Sequence, residues 1–140
     1  MLIKAVETQN EMEDALKVRH RVFVQEQQVP EDLEIDQHED EAIHFVAYDH
    51  HTPIAAGRYR MVEAFAKVER ICVLKERRGS GIGRLLMNEI EKQVSKKEIG
   101  GLKLNSQVSA IDFYKSLGYD ITSEEFMDAG IPHVTMIKTL

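Results

Sequence analysis

A glycine-rich turn constrains this chain most, because it joins an apolar segment ending near residue 73 to an amphipathic segment beginning near residue 82. Gly79, Gly81 and Gly83 lie in it at alternate positions. Glycine has no Cβ atom, so the backbone can approach a ligand closely there. The free N–H groups at a helix start, reinforced by the helix dipole, suit a phosphate or pyrophosphate group. The turn predicts a strand-to-helix anion cradle, with a simple chain reversal as the alternative.

The charge around the turn is opposite in sign to that of the whole chain. The 140 residues include 18 Lys and Arg against 24 Asp and Glu, a formal net charge of −6. Lys75, Arg77, Arg78 and Arg84 nevertheless flank the glycines, which favours an anionic ligand. The spacing is Gly-x-Gly-x-Gly, whereas a P-loop places Lys-Ser/Thr after its glycines and a dinucleotide fingerprint reads Gly-x-Gly-x-x-Gly. Neither of those phosphate-binding motifs is present.

Length and composition indicate one domain spanning residues 1–140. A chain with 43% hydrophobic and 30% charged residues is typical of a globular protein with its own core. The acidic balance argues against nucleic-acid binding, and the single cysteine, Cys72, cannot form an intramolecular disulfide. No segment has the pattern of a signal peptide or of an apolar membrane span. We therefore expect a soluble, cytoplasmic protein that binds neither nucleic acid nor membrane.

Hydrophobic periodicity predicts an α+β domain with the element order β-α-βββ-α-β-α-ββ. Short apolar runs predict strands at 2–6, 43–48, 54–62, 67–73, 102–104, 119–122 and 133–137. Helical spacing predicts helices at 11–26, 82–94 and 109–117. The three central strands follow one another with short turns, which predicts an antiparallel meander within a mixed sheet.

Polar residues predict how two of these helices begin and where the last one ends. Asn10 with Glu13, and Ser109 with Asp112, have the spacing of a capping box. Gly118 follows the last helix and predicts a left-handed residue just past its end.

An acidic run precedes the meander. Between Glu31 and Glu41 the chain has seven Asp and Glu residues and no Lys or Arg. Such a run is typical of a solvated loop. The alternative is an acidic rim that attracts a cationic amine.

Two segments carry a family resemblance. Residues 78–83, Arg-Gly-Ser-Gly-Ile-Gly, match the Arg/Gln-x-x-Gly-x-Gly/Ala signature of the GNAT N-acetyltransferase superfamily, on the strand–turn–helix that this family uses. Residues 110–119 resemble its Ala-Ile-x-Phe-Tyr-x-x-x-Gly-Phe/Tyr segment, and residues 19–27 are similar to small bacterial members. The resemblance covers essentially the whole chain. It implies the acyl-CoA N-acyltransferase fold, a mixed and mostly antiparallel sheet flanked by helices.

The resemblance implies a site for acetyl-CoA as cosubstrate. The backbone amides of the glycine turn would hold the CoA pyrophosphate, and the preceding strand would lie along the pantetheine arm, with the Val73 amide polarising the acetyl carbonyl. The residues carried over are Ile71, Cys72, Val73, Arg78, Gly79, Ser80, Gly81, Ile82, Gly83 and Arg84. Many members have Asn three residues before the Ala-Ile pair, where this chain has Gln107. Gln107 can still bond CoA, with a shifted contact.

The resemblance also implies a general acid, and the chain offers a candidate base. Tyr114 matches the family tyrosine that protonates the departing CoA sulfur; the alternative is a core aromatic residue with a satisfied hydroxyl group. Glu69, two residues before Ile71, could take the amine proton directly or through water. The alternative for Glu69 is a surface carboxylate paired with Arg70 or Lys67.

Histidine and cysteine leave further alternatives. The six histidines have no metal-site spacing, so we expect no metal. His133, on the last predicted strand, could line an acceptor pocket. Cys72 is either a buried small apolar residue or, beside the expected thioester, an acyl carrier, and direct transfer is the expected route in this family.

The expected activity is transfer of an acetyl group from acetyl-CoA to a primary amine of a small molecule or peptide. The alternative is a non-catalytic module that binds or senses acyl-CoA. The acidic run and the net charge of −6 favour cationic acceptors. Dimers are common among such folds, so a homodimer stays open.

Overall fold

The computed structural model describes residues 1–140 as eight strands and four α-helices. The strands are β1 (Leu2–Ala5), β2 (Ile43–Asp49), β3 (Thr52–Val62), β4 (Phe65–Val73), β5 (Gly101–Gln107), β6 (Asp120–Ile121), β7 (Phe126–Asp128) and β8 (Ile131–Thr139). The helices are α1 (Gln9–Arg19), continued by a π-helical segment (His20–Glu26), then α2 (Glu31–Glu34), α3 (Ile82–Ser95) and α4 (Ile111–Ser116). The predicted order is confirmed, with α2 and β7 as additions.

All eight strands belong to one sheet, in the order β1-β2-β3-β4-β5-β8-β6 with β7 paired to β8. β4 and β5 are parallel neighbours, and every other pair is antiparallel. The predicted meander and the mixed, mostly antiparallel sheet are therefore confirmed. The β4–β5 ladder stops at Val68 and Leu104. Beyond that point β4 stays with β3 and β5 stays with β8, so a cleft opens in the middle of the sheet.

Helices cover both faces of this sheet. α3 turns its apolar residues inward, and the buried ones are Ile82, Leu86, Met87, Ile90 and Val94; full burial of such a side chain stabilises the fold by about 1.5–3 kcal/mol. A Cβ atom on Gly57 would lie 3.6 Å from Ile90 Cδ1, so Gly57 faces α3. Its neighbour Arg58 points to the opposite face, where Arg58 and Arg19 of α1 share the carboxylate of Glu39. None of the helices has the length and apolar character of a membrane-spanning segment.

The two predicted capping boxes are wrong. Thr8 caps α1, with its hydroxyl oxygen accepting a 3.1 Å hydrogen bond from the Glu11 amide while the Glu11 carboxylate accepts one from the Thr8 amide. Asn10 lies inside the first turn, because Thr8 and Glu11 offer the same spacing two residues earlier. Residues 108–110 form a 3-10 turn, and α4 begins after Ala110 with no side-chain cap. Gly118 does follow α4 in the left-handed region, with φ of +98°.

The acidic run is not simply a solvated loop. Glu34 is buried, Asp36 and Glu39 are half-buried, and all three carboxylates form ion pairs with arginines. The other four acids of the run are exposed: Glu31, Asp32, Asp40 and Glu41. The solvated-loop prediction is wrong for the first group because the countercharges come from α1, β3 and β4, which the local charge pattern does not reveal.

Candidate active site

The glycine turn has the backbone that its sequence predicts. Gly79 and Gly81 have φ of +81° and +85°, and Gly81 is the N-cap residue of α3. A Cβ atom on either would meet nothing within 4 Å, so conformation and not space requires glycine there. At Gly83 the reason is space, because a Cβ atom would lie 3.3 Å from Phe113 Cζ. No side chain caps α3, so the first amides of this helix have no side-chain acceptor at the left-handed turn.

A cavity of about 520 Å³ lies along β4 and the glycine turn. Nine of the eleven residues predicted to bind the cosubstrate line it: Ile71, Cys72, Val73, Arg78, Gly79, Gly81, Ile82, Gly83 and Arg84. Ser80 is in the turn, but its hydroxyl group donates a 2.8 Å hydrogen bond back to the Arg77 carbonyl. Gln107 lines a neighbouring cavity instead, and its side-chain amide donates to Gln27 at 2.8 Å. The structure thus brings together most of the predicted set along one wall.

The backbone of Val73 faces the cleft. The Leu74 amide donates to the Ile54 carbonyl of β3 at 2.9 Å. Hydrogen-bonding directions alternate along an antiparallel ladder, so the N–H and C=O groups of Val73, paired with Ala55, point away from β3. The Val73 carbonyl accordingly accepts a 3.0 Å hydrogen bond from Arg78 Nε. An N–H group on this edge of β4 is in position to bind a ligand that enters the cleft.

A second cavity, of about 450 Å³, lies on the other side of the cleft. Four residues line both cavities: Gln27, Ile71, Ala110 and Tyr114. Its remaining lining combines apolar and charged side chains. The apolar residues include Phe23, Val29, Leu33, Leu104 and Ile131, and the charged ones include Asp36, Arg60, Lys67, Glu69 and Arg70. Two ligands, one bound in each cavity, would therefore meet at these four shared residues.

Tyr114 lies at this junction. Its side chain is buried, with edge-to-face contacts to Phe113 at 5.0 Å and Tyr119 at 5.9 Å between ring centroids. Burial raises the pKa of its phenol, and the neighbouring Cys72 adds to the effect. The group therefore stays protonated at neutral pH and can act as a proton donor. The ring packs in the core as the alternative expects, but its hydroxyl group has no hydrogen-bond partner within the protein, and the residue borders both cavities.

Glu69 is held by three cations. Its carboxylate lies 3.0 Å from Arg58 Nη2, 3.0 Å from Arg60 Nε and 3.3 Å from Lys67 Nζ. Burial alone would raise its pKa, but the hydrogen bond from Arg60 and the charges of Arg58 and Lys67 outweigh burial and lower the pKa. The carboxylate is therefore a weaker base than an ordinary glutamate. Of the two partners anticipated for it, Lys67 is present, whereas Arg70 bonds Glu34 and Asp36 instead.

Two arginines behind Glu69 are fully buried. Arg58 is 0% exposed and bonds Asp36, Glu39 and Glu69, while Arg19 bonds Glu34 and Glu39. Buried charges of this kind are tolerated only when they are paired. The acidic segment thus supplies the countercharges for the two buried arginines near the second cavity.

His133 and Cys72 have different environments. His133 is buried on β8 and lines the second cavity, with Nδ1 2.7 Å from the Ile131 carbonyl. Because a carbonyl only accepts, Nδ1 carries the proton of the neutral ring and Nε2 has a free lone pair. The Cys72 thiol donates to the Ala56 carbonyl at 3.7 Å, and burial raises its pKa to about 12. A thiol so far from ionisation is a poor nucleophile.

Sequence reasoning did not single out Gln27 and Phe113. The π-helical segment leads into Gln27 at the junction of the cavities, and nothing in the local pattern predicts the π-helical winding. The same segment contacts the glycine turn, because Glu26 accepts two 2.6 Å hydrogen bonds from Arg78. Phe113 lies within the 110–119 segment, but only its packing against Gly83 shows what it does.

Comparison with known proteins gives a family match over nearly the full chain. Residues 3–140 match the model of the acetyltransferase (GNAT) domain. The uncharacterized N-acetyltransferase YjcF of Bacillus subtilis is 48% identical over 139 residues, covering 97% of this chain and 99% of that protein.

Solved structures show the same fold. Escherichia coli ElaA superposes with a TM-score of 0.89 at 21% identity, over 99% of each chain. An aminoglycoside 6'-N-acetyltransferase in complex with coenzyme A superposes with a TM-score of 0.80 at 18% identity, over 99% of this chain and 97% of that one. At such identities the agreement concerns the fold alone.

Proposed function

This chain belongs to the GNAT acetyltransferase family, and we propose that it transfers an acetyl group from acetyl-CoA to a primary amine of a small molecule or peptide. The observation that carries the proposal is the pair of cavities that meet at Tyr114, one of which runs along the glycine turn. The first cavity suits the acetyl-CoA and the second suits the amine.

In the proposed complex the turn holds the CoA pyrophosphate. The amides from Arg78 to Arg84 supply hydrogen-bond donors, and the α3 dipole adds a positive potential. The pantetheine arm lies along Ile71, Cys72 and Val73, beside the exposed edge of β4. The ion pair between Arg78 and Glu26 holds the glycine turn against the π-helical segment, so the rim of this cavity is preorganised.

The proposed chemistry is direct attack. The neutral amine nitrogen forms a bond to the acetyl carbonyl carbon, and the Val73 N–H stabilises the negative charge that develops on the carbonyl oxygen. The C–S bond then breaks, and the Tyr114 hydroxyl group gives its proton to the thiolate that leaves. The buried, high-pKa thiol of Cys72 favours this route over an acyl-cysteine.

One of two groups takes the proton from the amine. Glu69 is the candidate from the sequence. Its lowered pKa makes it a weak base, whether it takes the proton directly or through a water molecule. His133 is the second candidate, because its Nε2 lone pair is free in the same cavity.

Calorimetric titration with acetyl-CoA tests the first half of the proposal. We expect saturable binding that Gly81→Glu abolishes, since this change adds strain and a negative charge to the pyrophosphate site. Gly130→Glu is the matched control: Gly130 also has positive φ (+76°) and open space around it, but lies in the turn before β8. No binding to the unmodified protein would make the turn a plain chain reversal.

The second half concerns turnover. Free thiol released from acetyl-CoA across a panel of primary amines would establish the enzyme. Binding of acetyl-CoA with no thiol release for any amine would instead identify the chain as an acyl-CoA-binding module.

A further inference from the structure

A row of cations crosses the centre of the sheet beside the second cavity. Arg60 of β3 lies directly opposite Lys67 of β4, which lies directly opposite Lys103 of β5. Directly paired residues point to the same face, so the three positive charges are neighbours on one side of the sheet. Like charges opposite each other destabilise a sheet unless an anion lies among them. Arg60 and Lys67 are 17% and 20% exposed and line the cavity wall.

The carboxylates nearby do not balance this row. Three arginines and three acids of the buried network pair with one another: Arg19, Arg58 and Arg70 with Glu34, Asp36 and Glu39. Glu69 is then left as the carboxylate that contacts both Arg60 and Lys67. Lys103 forms no ion pair.

Two other acids lie near the cavity, and neither neutralises the row. Glu41 approaches Arg60 Nη1 only to 3.9 Å, is 56% exposed and bonds His38. Solvent screens such a contact strongly. On the cavity wall, Arg60 and Lys67 share the single carboxylate of Glu69 at short range, which leaves one excess positive charge there, while Asp128 borders the cavity from β7 without an ion pair to either.

We propose that Arg60 and Lys67 form a subsite for an anionic group on the acceptor, which is a small primary amine that also carries a carboxylate or a phosphate. This inference rests on the proposed function and names its substrate class. It reverses the preference for cationic acceptors that the overall acidity suggests. Apolar residues that line the same cavity, including Val29, Leu33 and Ile131, accommodate an aliphatic body between the two polar groups.

Matched pairs of amines test the subsite by turnover. Leucine against leucinamide varies a carboxylate, and O-phosphoethanolamine against ethanolamine varies a phosphate. We expect kcat/KM to be at least about 10-fold higher for the anionic member of one pair, which also identifies the anion. Lys67→Met should reduce that preference at least about 5-fold through KM, and Lys67→Arg should restore it. Lys17→Met, an exposed cation of α1 that lines neither cavity, is the control and should keep the preference.

A binding measurement keeps the subsite testable without turnover. N-acetyl-leucine, N-acetyl-leucinamide, N-acetyl-phosphoethanolamine and N-acetyl-ethanolamine are titrated into the CoA-saturated protein. Preference for an anionic probe that Lys67→Met removes supports the subsite even if no amine is acetylated, in which case only the proposed function fails. Equal affinities within both pairs, or no binding of any probe, would overturn the subsite while leaving the function to the thiol assay.

Discussion

Tyr114 and Tyr119 provide a comparison at the scale of single residues. Their rings are 5.9 Å apart and both are buried, but only Tyr114 borders the two cavities, whereas the Tyr119 hydroxyl group is buried without a hydrogen-bond partner. We expect Tyr114→Phe to lower kcat about 10²-fold, the usual contribution of a general acid, with the Kd for acetyl-CoA unchanged. Steady-state kinetics and calorimetry measure the two quantities.

Tyr119→Phe is the matched control for that experiment. It removes the same oxygen atom from a neighbouring ring and should leave kcat unchanged. Full turnover in Tyr114→Phe would return Tyr114 to a packing role.

Single substitutions also distinguish the two candidates for the group that accepts the amine proton, Glu69 and His133. We expect one of the two variants Glu69→Gln and His133→Ala, and not both, to lose about 10²-fold in kcat with normal binding of acetyl-CoA. Added imidazole should restore turnover to His133→Ala if His133 is the base, because the small base can occupy the vacated space. Near-normal kcat in both variants would exclude both groups.

Sequence reasoning could single out the glycines, Val73 and Tyr114 as candidates because they belong to contiguous motifs. It could not show what surrounds Glu69, since Arg58, Arg60 and Lys67 reach that carboxylate only after β3 and β4 have paired in one register. The shift of Gln107 toward Gln27 likewise depends on a contact between residues 80 positions apart.

At the scale of elements, the acidic segment is attached to the sheet by ion pairs, which makes its attachment sensitive to acid. Burial alone would raise the pKa of Glu39, but hydrogen bonds and charges from Arg19 and Arg58 lower it from 4.5 to about 2. The unfolded chain therefore takes up this proton first, and stability is lost as pH falls from about 5 through 2. We expect Glu39 to account for up to about 3 kcal/mol of the unfolding free energy lost over that range.

Urea denaturation at pH 7, 4 and 2.5 measures this loss. Glu39→Gln should lower stability at pH 7 and flatten the acid dependence. Asp32→Asn, which changes an exposed acid of the same segment, should leave the curve as it is. An unaltered acid dependence in Glu39→Gln would contradict the role of these ion pairs.

At the scale of the whole molecule, periodicity and turn residues were sufficient to predict the element order and the mixed sheet. Each strand from β2 to β5 has enough apolar residues to be recognised alone, whereas β7 has only three residues and takes its stability from pairing with β8. β4 and β5 separate between Val68 and Glu69 because β4 continues to pair with β3 and β5 continues to pair with β8. The local sequence of β4 and β5 does not predict where the two strands separate.

The two cavities are distinct and share only a short wall around Tyr114 and Gln27. If the proposed function is correct, the donor and the acceptor can be bound at the same time, and neither has to leave before the other arrives. The consequence is kinetic: initial rates measured against one substrate at several fixed concentrations of the other should give intersecting, not parallel, double-reciprocal lines. Because the sheet is divided in its middle, it allows a ternary complex of the protein with both substrates. No covalently modified form of the protein is then needed between two half-reactions.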